Sequence, residues 1–446
     1  MTAAPAYDSG YFKRCEAALE RALSDAPAYA SWRARDPGPA APLLERFAAL
    51  PATTKRELRQ FFPQGFVPGD RRVETGLRQG AIEYVQTSGS TDDRVTLIWH
   101  QPWWEASERA AWRLNATAAA VATGSHREAV VASTRCVGPQ QSGHPARLPM
   151  EQRVLGRVLF VNQQINPATW TDADRDRMVE EINRFQPAVL EGDPPYLAAL
   201  ARYAARAGRT MHQPSLVFLT YSYPAEVYLR PMRRVWRAPI ASSYGSSETG
   251  HVFMECEAGR LHQNMEACHV DFQPWQRKHG GPLRGRLLVT VFNNPWVSLL
   301  RFDVGDVARL AEAPCPCGRR GGLTLAGIEG RVKDTTFTVD GRAVTAADVD
   351  RALRAMDEIS GFQIEQTGRD RYALRLTLDP STGSARYDGP QLRERASGIL
   401  RGVYGASAQV RVEVAASLVP EASGKFRMAR VAFAANHDLL LDGSGE

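Results

Sequence analysis

The sequence predicts an α/β protein, large in its N-terminal part and followed by a small α+β segment. Three observations predict it. Short apolar runs alternate with amphipathic stretches from 81 to about 310, the character of the chain changes at about 330, and a hairpin signal with further helices and strands fills 331–446. Repeated strand-then-helix order favours parallel pairing, because a parallel crossover needs a connection long enough to hold a helix.

The elements follow in order. Ser9 precedes Tyr11, Phe12, Cys15, Leu19 and Leu23 at helical spacing. Leu50-Pro51-Ala52-Thr53-Thr54-Lys55 starts another helix, with Thr53 or Thr54 as cap, since a hydroxyl there accepts from a first-turn amide. Apolar runs at 95–99, 129–133, 158–162, 189–191, 216–220 and 285–292 read as strands, and 104–121 reads as one helix. Beyond 330, 335–339 and 342–344 flank an Asp340-Gly341 turn, the pair that type I′ hairpins favour. Helices are expected at 346–356 and 390–402, strands at 361–366, 371–378 and 409–414, and a surface loop at 379–389. The expected domains are 1–330 and 331–446.

At 446 residues the chain is long enough for two or three domains. A hydrophobic content of 43% and a charged content of 23% suit a soluble globular protein. No run of 18 apolar residues occurs and the N-terminus lacks a hydrophobic signal core, so a cytoplasmic protein without a membrane partner is expected. Net charge is +6 with scattered basic residues, which argues against a nucleic-acid partner. Six cysteines do not suggest a disulfide framework, and four of them lie between 256 and 317.

Five scattered segments carry chemistry. Thr87-Ser88-Gly89-Ser90-Thr91 combines small hydroxylated residues with glycine, which lets backbone N–H groups and hydroxyls approach phosphate oxygens. Tyr244-Gly245-Ser246-Ser247-Glu248 follows an apolar run and reads either as a nucleotide site or as a capped helix start. Arg301-Phe302-Asp303-Val304-Gly305-Asp306 offers a carboxylate able to accept two hydrogen bonds. Gly330-Arg331-Val332-Lys333-Asp334 sits where composition changes. Pro420-Glu421-Ala422-Ser423-Gly424-Lys425 places a lysine after a flexible glycine.

In this order the five segments resemble those of the adenylate-forming (acyl-AMP) ligases, and in particular the phenylacetate–CoA ligase-like branch, over about residues 50 to 430. The resemblance implies a large N-terminal adenylation domain and a small mobile C-terminal lid. It makes Thr87, Ser88, Gly89, Ser90 and Thr91 the phosphate loop. Asp92-Asp93-Arg94 stands where that loop has Gly-x-Pro or Gly-x-Pro-Lys, so Arg94 would supply the cation usually given by lysine. Tyr244 would stack on adenine beside Gly245, Ser247 would bond the α-phosphate, and Glu248 would ligate Mg²⁺. Asp306 would grip the ribose, Arg331 would contact nucleotide, Lys333 would be the hinge, and Lys425 would neutralise charge in the transition state.

The acid's pocket is expected near 131–144 and 189–223. There the chain departs from the family pattern: Tyr221-Ser222-Tyr223-Pro224 replaces Gly-Ala-Glu-Pro. Ser222 falls among the nucleotide-binding positions. Tyr221 and Tyr223 would wall an aromatic acid or serve as core packing, and His144 and Arg135 would meet a polar group of the acid or remain solvated loop residues. Cys256, His262, Cys315 and Cys317 supply three thiols and an imidazole, a set that would close a tetrahedral structural zinc site; similar segments occur in the same branch, Cys268 or His269 could replace one of the four, and free thiols in loops are the plain alternative.

The implied reaction is ATP-dependent activation of a carboxylic acid, aryl or arylacetic by analogy, to an acyl-adenylate, with transfer to coenzyme A. The alternative is transfer to a carrier protein, an amine or another nitrogen nucleophile. A nucleotide-binding pseudoenzyme is a third reading, motivated by Asp92 and Arg94. A homodimer is expected by family analogy.

Overall fold

The computed structural model describes residues 5–87, 94–134, 148–379 and 389–441. The chain forms two compact units. The first comprises Met1–Ala119, Ser243–Pro274 and Leu283–Gly327; the second comprises Ala120–Ser242, Trp275–Pro282 and Ile328–Glu446.

The first unit begins with helix Ser9–Asp25, capped by the Asp8 carboxylate on the Tyr11 amide at 2.7 Å. Tyr11, Cys15, Leu19 and Leu23 lie on its buried face, as the spacing predicts. Helix Lys55–Phe61 is capped by Thr54, with Glu57 reaching back in a reciprocal capping box. The single helix expected over 104–121 is two, Gln101–Trp112 and Ala116–Ala122. Asn115 divides them: its Oδ1 accepts from the Ala118 amide at 3.0 Å and its Nδ2 donates to the Glu255 carbonyl at 2.9 Å. A side chain that competes for backbone groups restarts the helix on a new axis.

Strand pairing in this unit is antiparallel. Gly250–Glu255 pairs with Ser243–Ser246 on one side and with Leu261–Gln263 on the other. Cys268–Pro274, Arg284–Val291 and Phe302–Leu310 form an antiparallel succession. Glu83–Gln86 and Thr96–Trp99 make a separate two-stranded ribbon.

The second unit holds the parallel pairing that the strand–helix alternation predicts. Glu128–Val131 lies between Val158–Phe160 and Val189–Gly192, and Leu216–Leu219 and 240–242 follow, all parallel. Leu216–Leu219 is buried at every position, as expected of a parallel strand covered on both faces. Helices Asp172–Phe185, Pro194–Arg206 and Glu226–Val235 carry Met178, Ile182, Leu197, Leu200 and Met232 into its core.

The α+β segment beyond 330 has a four-stranded sheet ordered Gln409–Val414, Arg371–Leu378, Ile359–Gln366 and Ala429–Val431. Its central pair is antiparallel and both outer pairs are parallel. The predicted Asp340-Gly341 hairpin joins Thr336–Phe337 to Ala343–Val344, with Gly341 at φ 83. Helices Ala346–Leu353 and Gly389–Tyr404 complete it. Among the described residues, no helix is long and apolar enough to cross a membrane.

Candidate active site and cysteine–histidine cluster

In the first unit, Thr87 and Val95 bond each other and form a neck on either side of residues 88–93. The Thr87 amide donates to the Val95 carbonyl at 3.0 Å, and its hydroxyl accepts from the Val95 amide at 3.1 Å. Arg94 stands at the same neck. Ser88, Gly89, Ser90 and Thr91 lie outside the described residues, as do Arg135 and His144.

Tyr244-Gly245-Ser246-Ser247-Glu248 is a tight β-hairpin rather than a helix start. Ser246 pairs with Gly250, and the Thr249 amide closes the turn on the Ser246 carbonyl at 3.1 Å. Glycine is required at 245, because a Cβ there would fall 2.0 Å from the Gly250 carbonyl oxygen. The turn presents Tyr244 and Glu248. The Tyr244 hydroxyl donates to Asp306 Oδ2 at 2.9 Å, so the residues expected at base and ribose are neighbours. The Glu248 side chain is 4% exposed, and its Oε1 lies 3.6 Å from Lys55 Nζ and has no hydrogen-bond partner among the described residues. Lys55 is a site neighbour given no role from the sequence, although it ends the Leu50-Pro51-Ala52-Thr53-Thr54-Lys55 segment, which resembles the family's entry turn. Arg301, by contrast, is structural. It is buried at φ 44 and pairs with Asp271 at 3.1 Å.

Cys256, His262, Cys315 and Cys317 converge in this unit, their ligand atoms all within 4.8 Å of one another. Cys256 and Cys315 sulfurs are 3.5 Å apart, and Cys317 Sγ is 3.3 Å from His262 Nε2. Zn–S bonds of about 2.3 Å at tetrahedral angles would put sulfurs about 3.8 Å apart, so the set fits zinc. Burial pushes the Cys256 thiol up to about 11. Burial also acts upward on Cys317, but the Arg319 backbone and side chain, with the neighbouring thiols, hold it below its ordinary value. Glu257 braces the surroundings, accepting from Arg319 at 2.8 Å and from the Ala116 amide.

In the second unit, Lys425 rides on a turn closed by Gly424 N to Glu421 O at 2.8 Å and Glu421 N to Lys425 O at 2.9 Å. Gly424 has φ 88, and a Cβ on it would sit 2.1 Å from Ser133 Oγ and 2.8 Å from the Tyr196 hydroxyl. That hydroxyl lies 3.0 Å from the Gly424 carbonyl. The turn is therefore seated beyond the C-terminal ends of strands Glu128–Val131 and Val189–Gly192, the usual ligand crevice of a parallel sheet.

Two carboxyl groups occupy the same crevice. The Glu191 carboxylate accepts from Thr220 Oγ1 at 2.9 Å and from the Tyr221 hydroxyl at 3.1 Å. Asp193 accepts from Ser222 Oγ. Burial pushes each up to about 7. No motif pointed to either residue. Tyr221 takes the left-handed φ of 71, where the family pattern has glycine. The Tyr223 hydroxyl donates to Asp350 at 3.2 Å, so it packs against helix Ala346–Leu353. Arg331 ends strand Thr324–Arg331, and Lys333 is exposed in the one-turn helix Val332–Asp334. The adjoining Asp334 accepts from Arg427 Nε at 2.7 Å. Burial raises the Asp334 carboxyl above its usual range, and Arg427 counters this.

No family model matches the chain. CapK of Staphylococcus aureus is 22% identical over 202 residues, 45% of this chain and 44% of that protein. The match thus spans less than half of that relative. Among solved structures, 2-hydroxyisobutyryl-CoA ligase in the postadenylation state with R3-HIB-AMP is similar at a TM-score of 0.71 and 18% identity, over 97% of this chain and 90% of that one. The anthranilate CoA ligase AuaEII with anthranoyl-AMP is similar at 0.51 and 11%, over 78% and 65%. The amide bond synthetase McbA from Marinactinospora thermotolerans is similar at 0.50 and 14%, over 78% and 67%. The fold is that of the adenylate-forming ligases.

Proposed function

We propose that the chain joins a carboxylic acid to AMP at the expense of ATP and passes the acyl group to coenzyme A. The observation that carries this reading is the seating of Gly424 on Ser133 and Tyr196, which delivers Lys425 to the crevice of the parallel sheet. In the first step the acid's carboxylate attacks the α-phosphorus of ATP and pyrophosphate leaves. Lys425 stands against the negative charge that grows in that transition state. Tyr244 and Asp306, already bonded to each other, hold the nucleoside, and Ser247 and the 87–91 loop hold phosphates. Glu248, with its unsatisfied buried oxygen, would hold Mg²⁺, which supplies charge neutralisation to the phosphates when bound. Arg331 contacts nucleotide. In the second step the lid, 331–446, turns about Lys333 and admits the thiol, whose sulfur displaces AMP from the acyl carbon. The acid is aryl or arylacetic by analogy with the phenylacetate–CoA ligase-like branch; Tyr221 is the tyrosine left to wall it, since Tyr223 packs against helix Ala346–Leu353. Zinc at Cys256, His262, Cys315 and Cys317 is structural, since four protein ligands leave no position for substrate.

The test is mass spectrometry of products from ATP, Mg²⁺ and a library of carboxylic acids, with and without CoA. Acid-dependent AMP and an acyl-CoA mass are expected. Adenylate formation with acyl transfer to an amine or a carrier-protein thiol instead would replace the acceptor. No AMP with any acid would sink the enzyme reading.

A further inference from the structure

Asp193 is an oddity of helix Pro194–Arg206. It occupies the N-cap position, where aspartate ordinarily uses its carboxylate to satisfy a first-turn amide. Here it does not. Pro194 and Pro195 have no N–H to offer, and the next amide, of Tyr196, bonds the Asp193 backbone carbonyl at 2.9 Å. The double proline thus starts the helix without drawing on the carboxylate. The side chain is completely buried. One oxygen takes the Ser222 hydroxyl, and the other, Oδ2, has no hydrogen-bond partner among the described residues.

A buried carboxylate with an open oxygen is costly unless a cation completes it. The 421–425 turn carries one, Lys425. Tyr196, in the first turn of the same helix, meets the Gly424 carbonyl, and the Lys425 charge acts on Asp193 to favour its ionised form. Tyr228 is the further titratable side chain that feels Asp193.

We propose that Asp193 is a positioning residue for Lys425: its open carboxylate oxygen is the counter-charge that draws the lysine turn onto Ser133 and Tyr196. Ser222 fixes the other oxygen and so aims the carboxylate. This rests on reading Lys425 as the adenylating lysine. Asp193 touches no reacting atom; it acts by holding the ammonium where charge will appear.

The experiment uses the full chain at pH 8, with Asp193→Asn, which keeps the shape and removes the charge. Limited trypsin digestion is read as cleavage after Lys425 and Arg427, relative to cleavage after the exposed Arg369 of the 367–371 turn. The ratio reports undocking of the turn and cancels any global loosening. It is expected to rise about tenfold, because proteolysis tracks the open population. Where an acid substrate is in hand, kcat for ATP–pyrophosphate exchange falls while KM for ATP stays unchanged. Should the Asn variant not fold, Lys425→Met removes the other partner and must raise cleavage after Arg427 likewise. An unchanged ratio in the folded variants overturns the proposal. Absence of exchange by the unmodified chain overturns the enzyme reading instead, and leaves the digestion result standing.

Discussion

The cysteine–histidine cluster and the Asp193 corner are both assembled from residues far apart in the chain, and they differ in what completes them. Cys256, His262, Cys315 and Cys317 face one another with ligand atoms within 4.8 Å; the zinc proposed there would finish the set, and nothing else need enter. Asp193 keeps one oxygen on Ser222 and the other without a hydrogen-bond partner among the described residues, at the start of a helix whose Tyr196 seats the lysine-bearing turn. The first arrangement is closed and suits permanence. The second is open and suits a part that arrives and leaves.

The sharpest way to break that contrast is at the closed site. Cys315→Ser, or a strong chelator, removes a ligand or the ion, and stability falls by several kcal/mol, because metal binding free energy is folding free energy. Metal analysis and thermal melting check it; an unchanged melting point with no zinc in the purified chain removes the metal from the account. At the open site, Gly424→Ala should lower the adenylation rate by about two orders of magnitude, the scale of a 1 Å misplacement, with little change in melting temperature. Its methyl group meets Ser133 at 2.1 Å in a backbone region where only glycine is comfortable. Activity within twofold of the unmodified chain would show that the turn need not seat.

A pH series separates the two sites further. Burial holds folded Asp193 at about 7 against an ordinary 3.8. Between those values the folded chain keeps a proton that the unfolded chain has lost, so this group's contribution is fully present below about pH 4 and fades as pH rises through 7. Asp193→Asn does not titrate. Melting curves should therefore show the variant gaining on the unmodified chain across that window, on the order of 1.4 kcal/mol per unit of pKa difference. Equal slopes would mean that Asp193 is not desolvated. The smallest effect belongs to Tyr244→Phe, which deletes the 2.9 Å bond to Asp306. A loss of about 1–2 kcal/mol in nucleotide affinity is expected, read by calorimetry as a several-fold weaker Kd for ATP.

The sequence was most legible where chemistry is written locally. The strand–helix alternation, the Asp340-Gly341 hairpin and the Thr54 cap all depend on neighbours within a few residues, and all are present. The convergence of Cys256, His262, Cys315 and Cys317 was readable because paired thiols and a nearby histidine have few other uses in one stretch. Asp193 was not readable: a carboxylate before Pro-Pro at a helix start looks like an ordinary cap, and only the tertiary approach of Ser222 and Gly424 shows that it is not. Glu191 was hidden within an apolar strand. Lys55 was seen only as the end of the Leu50–Lys55 segment at a helix start, since the stretch that separates it from Glu248 includes the whole 120–242 part of the second unit. The 104–121 helix was misjudged because periodicity continues through Asn115 while that side chain ends one helix and begins the next.

Glu257 has a wider reach than its place beside Cys256 suggests. One of its oxygens accepts from the Ala116 amide at the start of the helix, and both grip Arg319, which holds the carboxyl down to about 2. Asn115, immediately before that helix, is tied to the carbonyl of Glu255. The loops of the cysteine–histidine cluster thus double as the anchor block for a helix more than a hundred residues upstream. Stripping the ion would slacken that anchorage, so far-ultraviolet dichroism of a chelated sample should lose helical signal as well as thermal resistance.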